Sequence, residues 1–337
     1  MNDWEADLDN IVNKYVKDME PGLSLLIGKN NRILFEGYYG LAEVEKRKPI
    51  NKDSKFLIAS LTKQFTCASL LILEDRGLID LETSLLDFFP NFPSFNKDIK
   101  ILHLMTHTSG IREYLDDNFF DNITNKNINK EEIIEKISKF DTLEFEPGTK
   151  FKYSNSGYVL LGNIIEKITK MSFGEFVKRN IFDVLNMKNS FVLDENKNRL
   201  EEIATGYRFI CHGKWEKISL TNDVVGWADG NMVSDVRDLY IWLNSLKEKN
   251  IISNKLIDRV YNPYILKNGE SSNYGFGWFI EDEGYYHTGT TYGYISKIQI
   301  KREDGYTVLM LSNNDSIDRE KFFESIFKLI YKHMEEA

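Results

Sequence analysis

Only two cysteines, Cys67 and Cys211, occur in 337 residues, and they have no metal-ligand spacing. That pair cannot build a disulfide framework or a structural zinc site, and fits a reducing compartment. No stretch reaches the ~18 apolar residues a spanning helix needs. The start, MNDWEADLDNIVNKYVKDMEPG, lacks a basic opening, an apolar core and a small-residue cleavage site, so it does not read as a signal peptide. The expectation is a soluble, cytoplasmic protein without a membrane span. Basic excess is also missing. The net charge of −9 argues against a nucleic-acid backbone as a partner. Repeats, low-complexity tracts and Pro- or Ser-rich linkers are absent too. The phosphate-cradling Gly-x-x-x-x-Gly-Lys-Ser/Thr run and the Gly-x-Ser-x-Gly elbow do not occur. His103 and His107 stand at i and i+4, but no Glu follows His103. The zinc-protease pattern therefore fails, and packing is the preferred reading of both rings. No metal and no cofactor is called for.

What is present is a globular composition, 42% hydrophobic, 28% charged and 13% aromatic, in a chain long enough for a large core. Both ends read as sheet. Gly22–Ile27 and Arg32–Tyr39 flank Gly-Lys-Asn-Asn as a hairpin, after an opening helix. Tyr274–Ile280, Tyr285–Thr288, Ile295–Lys301 and Tyr306–Ser312 are strand-like, punctuated by Gly284, Gly293 and Asp304-Gly305, with a closing helix from about 317 to 333. From Ser60, the apolar positions Leu61, Phe65, Ala68 and Ile72 follow helical spacing, and Gly77 stops the run. Glu131–Phe140 and Gly157–Thr169 are periodic as helices. The expected fold is α+β: an antiparallel sheet built from both chain ends and flanked by helices. Residues 1–90 plus 265–337 form that part, and 91–264 form a mostly helical insertion. A cleft between two such parts is a natural place for a site.

Ser60 and Lys63 lie at i and i+3 at the start of that helix, close enough to touch. There the helix dipole favours developing negative charge, and the outward Ser60 N–H can serve an oxyanion hole. Lys63 can act as a base only when neutral, the direction in which burial pushes an amine. The same spacing recurs at Ser94–Lys97 and Ser325–Lys328. Only Ser60 follows an apolar strand-like approach, Phe56-Leu57-Ile58-Ala59, and opens an apolar helix. The other two serines read as solvent-facing. Tyr153-Ser154-Asn155 is the only Tyr-x-Asn, and Glu146-Pro147-Gly148 precedes it as a turn. A phenol there could shuttle the serine proton, and the Asn155 amide could hold a substrate amide. His287-Thr288-Gly289 is the only His-Thr-Gly; on a strand, Gly289 would let a substrate backbone approach closely.

In this order the triplets resemble the serine β-lactamase and D-Ala-D-Ala carboxypeptidase superfamily, in its class C-like branch. The resemblance covers nearly the whole chain. Leu104-Met105-Thr106-His107-Thr108-Ser109-Gly110 is similar to the family's scaffold segment, and Tyr274-Gly275-Phe276-Gly277-Trp278 to the strand before its third motif. The resemblance implies that Ser60 is acylated and that Lys63 and Tyr153 share the base work. It further implies that Asn155 contacts the substrate amide and that the N–H groups of Ser60 and Thr290 form the oxyanion hole. His287, Thr288 and Gly289 would line the strand along which the acyl group lies. His287 replaces the lysine that β-lactamases of this branch carry in Lys-Thr-Gly, and a histidine is only partly charged at neutral pH. Efficient β-lactam turnover is therefore not expected. The implied activity is hydrolysis, through an acyl-enzyme, of small esters or of peptides and amides with D-amino-acid character. The alternatives are a penicillin-binding sensor that deacylates slowly and a non-catalytic binding protein. Trp227, in Gly226-Trp227-Ala228-Asp229-Gly230, either lines the cleft or packs beside a turn. Tyr292 and Tyr294 either flank a substrate or are strand residues. The run Asp121–Lys136 reads as a solvated loop and helix face.

Overall fold

The computed structural model describes residues 3–115, 129–193, 197–211, 213–218, 227–248 and 251–335. The first half of the Asp121–Lys136 run and Gly226 lie outside those residues.

The chain enters through helix Asp3–Val12 and then pairs strand β1 (Leu23–Lys29) with β2 (Arg32–Tyr39). Asn30 and Asn31 both have positive φ, 49° and 64°, the conformation that a tight hairpin turn demands and asparagine tolerates. Leu41–Glu43 (β3) and Lys48–Pro49 (β4) form a small ladder, and Phe56–Leu57 (β5) leads into the serine helix. Later come β6 (Phe191–Val192), β7 (Tyr207–Cys211), β8 (Lys214–Lys217) and β9 (Met232–Ser234). The C-terminal strands are β10 (Phe279–Glu281), β11 (Gly284–Thr291), β12 (Tyr294–Lys301) and β13 (Tyr306–Ser312), followed by helix Arg319–Glu335.

The central sheet has the order β10-β11-β12-β13-β1-β2, and all of its neighbours are antiparallel. The expected α+β fold with a sheet from both chain ends is what the structure has. Strand alternation splits the core in two. Leu23, Leu25, Ile27, Val308 and Met310 face the two terminal helices, against Leu8, Phe322 and Ile326. Leu26, Leu309, Leu311, Ile298 and Ile300 face the larger core with the serine helix.

One expectation changes on contact with the tertiary structure. The run Tyr274–Ile280 is not one strand: Gly277 has φ +83°, and only Phe279–Glu281 joins the sheet. A Cβ on Gly277 would lie 2.7 Å from Gln64 Cα, so the kink exists because the segment packs onto the serine helix backbone. Helix Val236–Glu248 packs on the sheet, against β1 and β13. Its Tyr240 hydroxyl donates to Arg32 O at 3.0 Å, and Trp242 stacks on Phe65 at 4.4 Å. Among the described residues no helix is long and apolar enough to cross a membrane.

Candidate active site

The stretch Phe56–Leu61 is short of regular structure because it is gripped from both sides. Ile58 N–H donates to Met232 O at 2.9 Å on the β9 side. On the other side Ser296 Oγ donates to Ile58 O, also at 2.9 Å. Ala59 then takes φ +49°, an uncommon conformation for a residue with a Cβ, and turns the chain from strand into helix. Ser60 sits in the one-turn 3-10 helix Ala59–Leu61, which runs into the α-helix Thr62–Asp75. That helix is buried from Thr62 to Leu73 and is therefore the central helix of the larger core.

Lys63 is fully buried and donates three hydrogen bonds: to Ser60 Oγ at 3.1 Å, Asn155 Oδ1 at 2.8 Å and Asp229 O at 2.6 Å. Three acceptors match the three donors of a lysine head. Asn155 opens helix Asn155–Thr169, and its backbone N–H is held by Glu113 Oε2 at 2.6 Å. Burial raises the Glu113 pKa above the usual carboxylate range. The Asp229 carboxylate accepts from Tyr114 Oη at 2.9 Å and Trp227 N–H at 2.7 Å, which fixes the turn whose carbonyl Lys63 uses.

Tyr153 stands differently from Asn155. Lys63 Nζ lies 4.9 Å from the centre of its ring, and its hydroxyl is buried without a hydrogen-bond partner among the described residues. The ring lies on His107 at 4.1 Å and stacks near Phe279 at 6.3 Å. The His107 segment explains how the second loop is held: His107 O accepts from Lys152 N–H at 2.9 Å and its Nδ1 from Ser154 N–H at 3.1 Å. Thr108 O and Gly110 O take N–H bonds from Gly148 and Glu144. His103 instead turns to Tyr264, 3.2 Å away, so the two histidines serve different neighbours.

Strand β11 runs past the serine. The position of Gly289 is explained by the protein itself: a Cβ there would fall inside contact distance of Ile58 O and Ser296 Oγ, and 3.1 Å from Ala59 Cβ. The close approach expected of a substrate is made by the serine-bearing segment. Arg319 braces this stretch, donating to Gly289 O at 2.6 Å and Thr290 Oγ1 at 3.0 Å.

His287 points away from the cleft. Its ring is buried, and Nδ1–H donates to Thr288 O at 2.7 Å, which leaves Nε2 to accept from Tyr274 Oη at 3.0 Å. Burial, joined by the charge of Lys63, pushes its pKa down to about 3. A histidine neutral in the fold but free to charge when unfolded stabilises the protein fully above its unfolded pKa of about 6.5. That contribution falls by up to about 1.4 kcal/mol per pH unit between there and about 3. The stability gap between wild type and His287→Asn is expected to narrow as pH falls from 7 to 5. The wild-type ring is expected to stay in the Nδ1–H form by NMR over that range. Titration of this ring near pH 6.5 would contradict the assignment.

The open cleft has a volume of about 340 Å³ and is lined by Ser60, Asn155 and Thr290 together with Tyr114, Arg208 and Tyr292. Of the expected residues, Ser60, Lys63 and Asn155 are joined by direct hydrogen bonds, and Thr290 lies across from them on the cleft wall. Trp227 is buried against Phe173 and Lys130. Tyr294 is buried with its hydroxyl on Ala204 O, whereas Tyr292 faces the cleft. Ser94 is exposed, and Ser325 bonds Lys321 O while Lys328 pairs with Glu324. Neither competing serine is hydrogen-bonded to its lysine among the described residues. Glu113, Asp229, Arg208 and Arg319 had no readable signal, because their partners are distant in sequence.

A buried amine on a serine hydroxyl, facing a cleft from a helix start, is the arrangement of an activated nucleophile. The profile of the beta-lactamase family matches residues 8–327. The chain belongs to the beta-lactamase family. It stands among the β-lactamase-related serine hydrolases. It is 30% identical over 313 residues to penicillin-binding protein 4* of Bacillus subtilis, covering 88% of this chain and 69% of that one. Protein flp of Staphylococcus aureus is 28% identical over 342 residues, 98% of this chain and 67% of the relative. Among solved structures, the octameric penicillin-binding protein homologue from Pyrococcus abyssi superposes with TM-score 0.84 at 26% identity, over 98% of this chain and 78% of that one. The D-amino acid amidase from Ochrobactrum anthropi SV3 shares the fold, with TM-score 0.81 at 24% identity over 99% of both chains.

Proposed function

We propose that this member of the family hydrolyses small esters, and amides or short peptides of D-amino-acid character, through an acyl-enzyme on Ser60. The observation that carries the reading is the 3.1 Å contact between Lys63 Nζ and Ser60 Oγ at the floor of the cleft. The reacting form is the neutral amine, whose two N–H groups stay on Asn155 Oδ1 and Asp229 O and whose lone pair faces Ser60. Ser60 Oγ attacks the substrate carbonyl as its proton passes to Lys63 Nζ, with the Tyr153 phenol as the neighbouring relay. The tetrahedral oxyanion is held by the N–H groups of Ser60 and Thr290. The same proton goes to the leaving alcohol or amine as the C–O or C–N bond breaks. Water then attacks the acyl-enzyme and returns Ser60 to its hydroxyl form. Asn155, whose Oδ1 is taken by Lys63, offers its amide N–H groups to the substrate.

The residues that line the cleft support its reading as the seam between the two parts of the chain. Ser60 and Thr290 come from 1–90 plus 265–337, and Asn155, Arg208 and Asp229 from 91–264. The structural likeness to a D-amino acid amidase supports amide substrates of that class. The inward, neutral His287 offers no cation where β-lactamases of this branch place one, which supports weak β-lactam turnover.

The test is turnover by pure protein of 4-nitrophenyl acetate, D- and L-alanine amides and a chromogenic cephalosporin, beside Ser60→Ala. Ester and D-amide turnover that vanishes in the variant is expected, with little cephalosporin hydrolysis. Inertness of the folded wild type, or equal rates in the variant, would overturn the reading. A lasting cephalosporin adduct without product release would make it a penicillin-binding sensor instead.

A further inference from the structure

Catalysis on Ser60 leaves one end of the cleft without a role. Strand β11 runs from His287, packed beside the Tyr153 ring at 6.2 Å, to Thr290 and Thr291 on the cleft wall. The leaving group has to depart toward the groups that return its proton, which lie at the Lys63 and Tyr153 end. The opposite end, at Thr291 and Tyr292, is therefore where the acyl part of a substrate rests. Arg208 and Asp315 line the cleft there.

Arg208 is placed by a rigid base. Its neighbour Tyr207 is buried, with its N–H donating to Asn313 O at 2.9 Å and its hydroxyl to Glu45 Oε2 at 2.6 Å. Phe209 N–H is held by Asp315 Oδ1 at 3.1 Å, which occupies that carboxylate with the hairpin backbone. The other acidic lining residue, Asp229, is engaged by Tyr114 and Trp227. Arg208 itself has a looser tie: Glu216 on the paired strand lies 3.7 Å away, and about half of each side chain is exposed. Among the described residues that line the cleft, it is the one cation. A guanidinium presents a planar fork suited to a carboxylate. His287, turned inward, does not compete for that anion.

We propose that Arg208 is a specificity residue that selects acyl groups ending in an anion, so that the substrate class is an ester or amide whose acyl part carries a free carboxylate. This rests on Ser60 being the nucleophile, and it goes beyond that reading by assigning the charge of the acyl group.

Three phenyl esters separate the possibilities: monophenyl adipate, neutral phenyl heptanoate and cationic phenyl 6-aminohexanoate. With wild type, kcat/KM for the adipate is expected to exceed that for the heptanoate by about tenfold, the scale of one charge-assisted contact at a half-exposed site. Added salt is expected to erode the ratio. In Arg208→Gln the ratio is expected to fall to about one, chiefly through KM, and Arg208→Lys is expected to restore part of it. Thermal melts establish that both variants are folded. An unchanged ratio in Arg208→Gln, or a wild-type preference for the aminohexanoate, would overturn the inference while leaving the serine hydrolase intact. Failure of wild type to turn over any of the three would count against the hydrolase reading and take this inference with it.

Discussion

Lys63→Met is expected to lower the rate of Ser60 acylation by about a thousandfold or more, with the protein still folded. The general-base contribution of a positioned group is typically about 10²–10⁴. Here the amine is the only side chain bonded to Ser60 Oγ among the described residues. Its removal also frees Asn155 Oδ1 and the Asp229 carbonyl, so the cleft loses the clamp that joins its two walls. Methionine has nearly the same length and flexibility and carries no charge into a buried position, which keeps the packing cost small. Arginine is not expected to rescue, because its broad planar head does not fit three acceptors that converge on one atom. Ester hydrolysis and single-turnover acylation measure the effect, with circular dichroism as the check on folding. A loss under tenfold would move the proton-transfer role to Tyr153.

Gly289→Ala is expected to cost both stability and activity. The added methyl would press on Ile58 O, Ser296 Oγ and Ala59 Cβ, the backbone and side chains that carry Ser60. Overpacking of this kind costs about 1–3 kcal/mol. Relief requires the serine segment to lift from β11, which breaks the bond from Ser296 Oγ to Ile58 O and moves Ser60 relative to Thr290. Misplacement by about 1 Å can reduce turnover about a hundredfold. Thermal melting and kcat/KM on one preparation report the two effects. A variant with wild-type activity would show that the fit between β11 and the serine turn does not set the catalytic geometry.

The legible parts of this protein are those whose cause is local. The Asn30-Asn31 turn, the alternation of β1 and β13, and the helix after Ser60 each follow from neighbours in sequence. The choice of Ser60 over Ser94 and Ser325 was also local, resting on the apolar approach and the helix that follows. Legibility ends where distant segments meet. Gly277 breaks an apparent strand because the serine helix lies against it, and nothing near Gly277 in sequence announces that helix. His287 reads as a cleft residue from its motif, yet Tyr274 and the Thr288 carbonyl turn its ring inward. Gly289 was read as room for substrate and is room for Ile58 and Ala59. Glu113, Asp229 and Arg208 carry no motif at all, and their roles arise from turns and hairpins that the tertiary fold brings to one cleft.

Intact mass after treatment with a fluorophosphonate, on wild type and on Ser60→Ala, tests most directly whether Ser60 is an activated nucleophile. A single adduct on wild type that is absent from the folded variant is the expected result. An unlabelled, folded wild type, or an adduct that persists in Ser60→Ala, would contradict it.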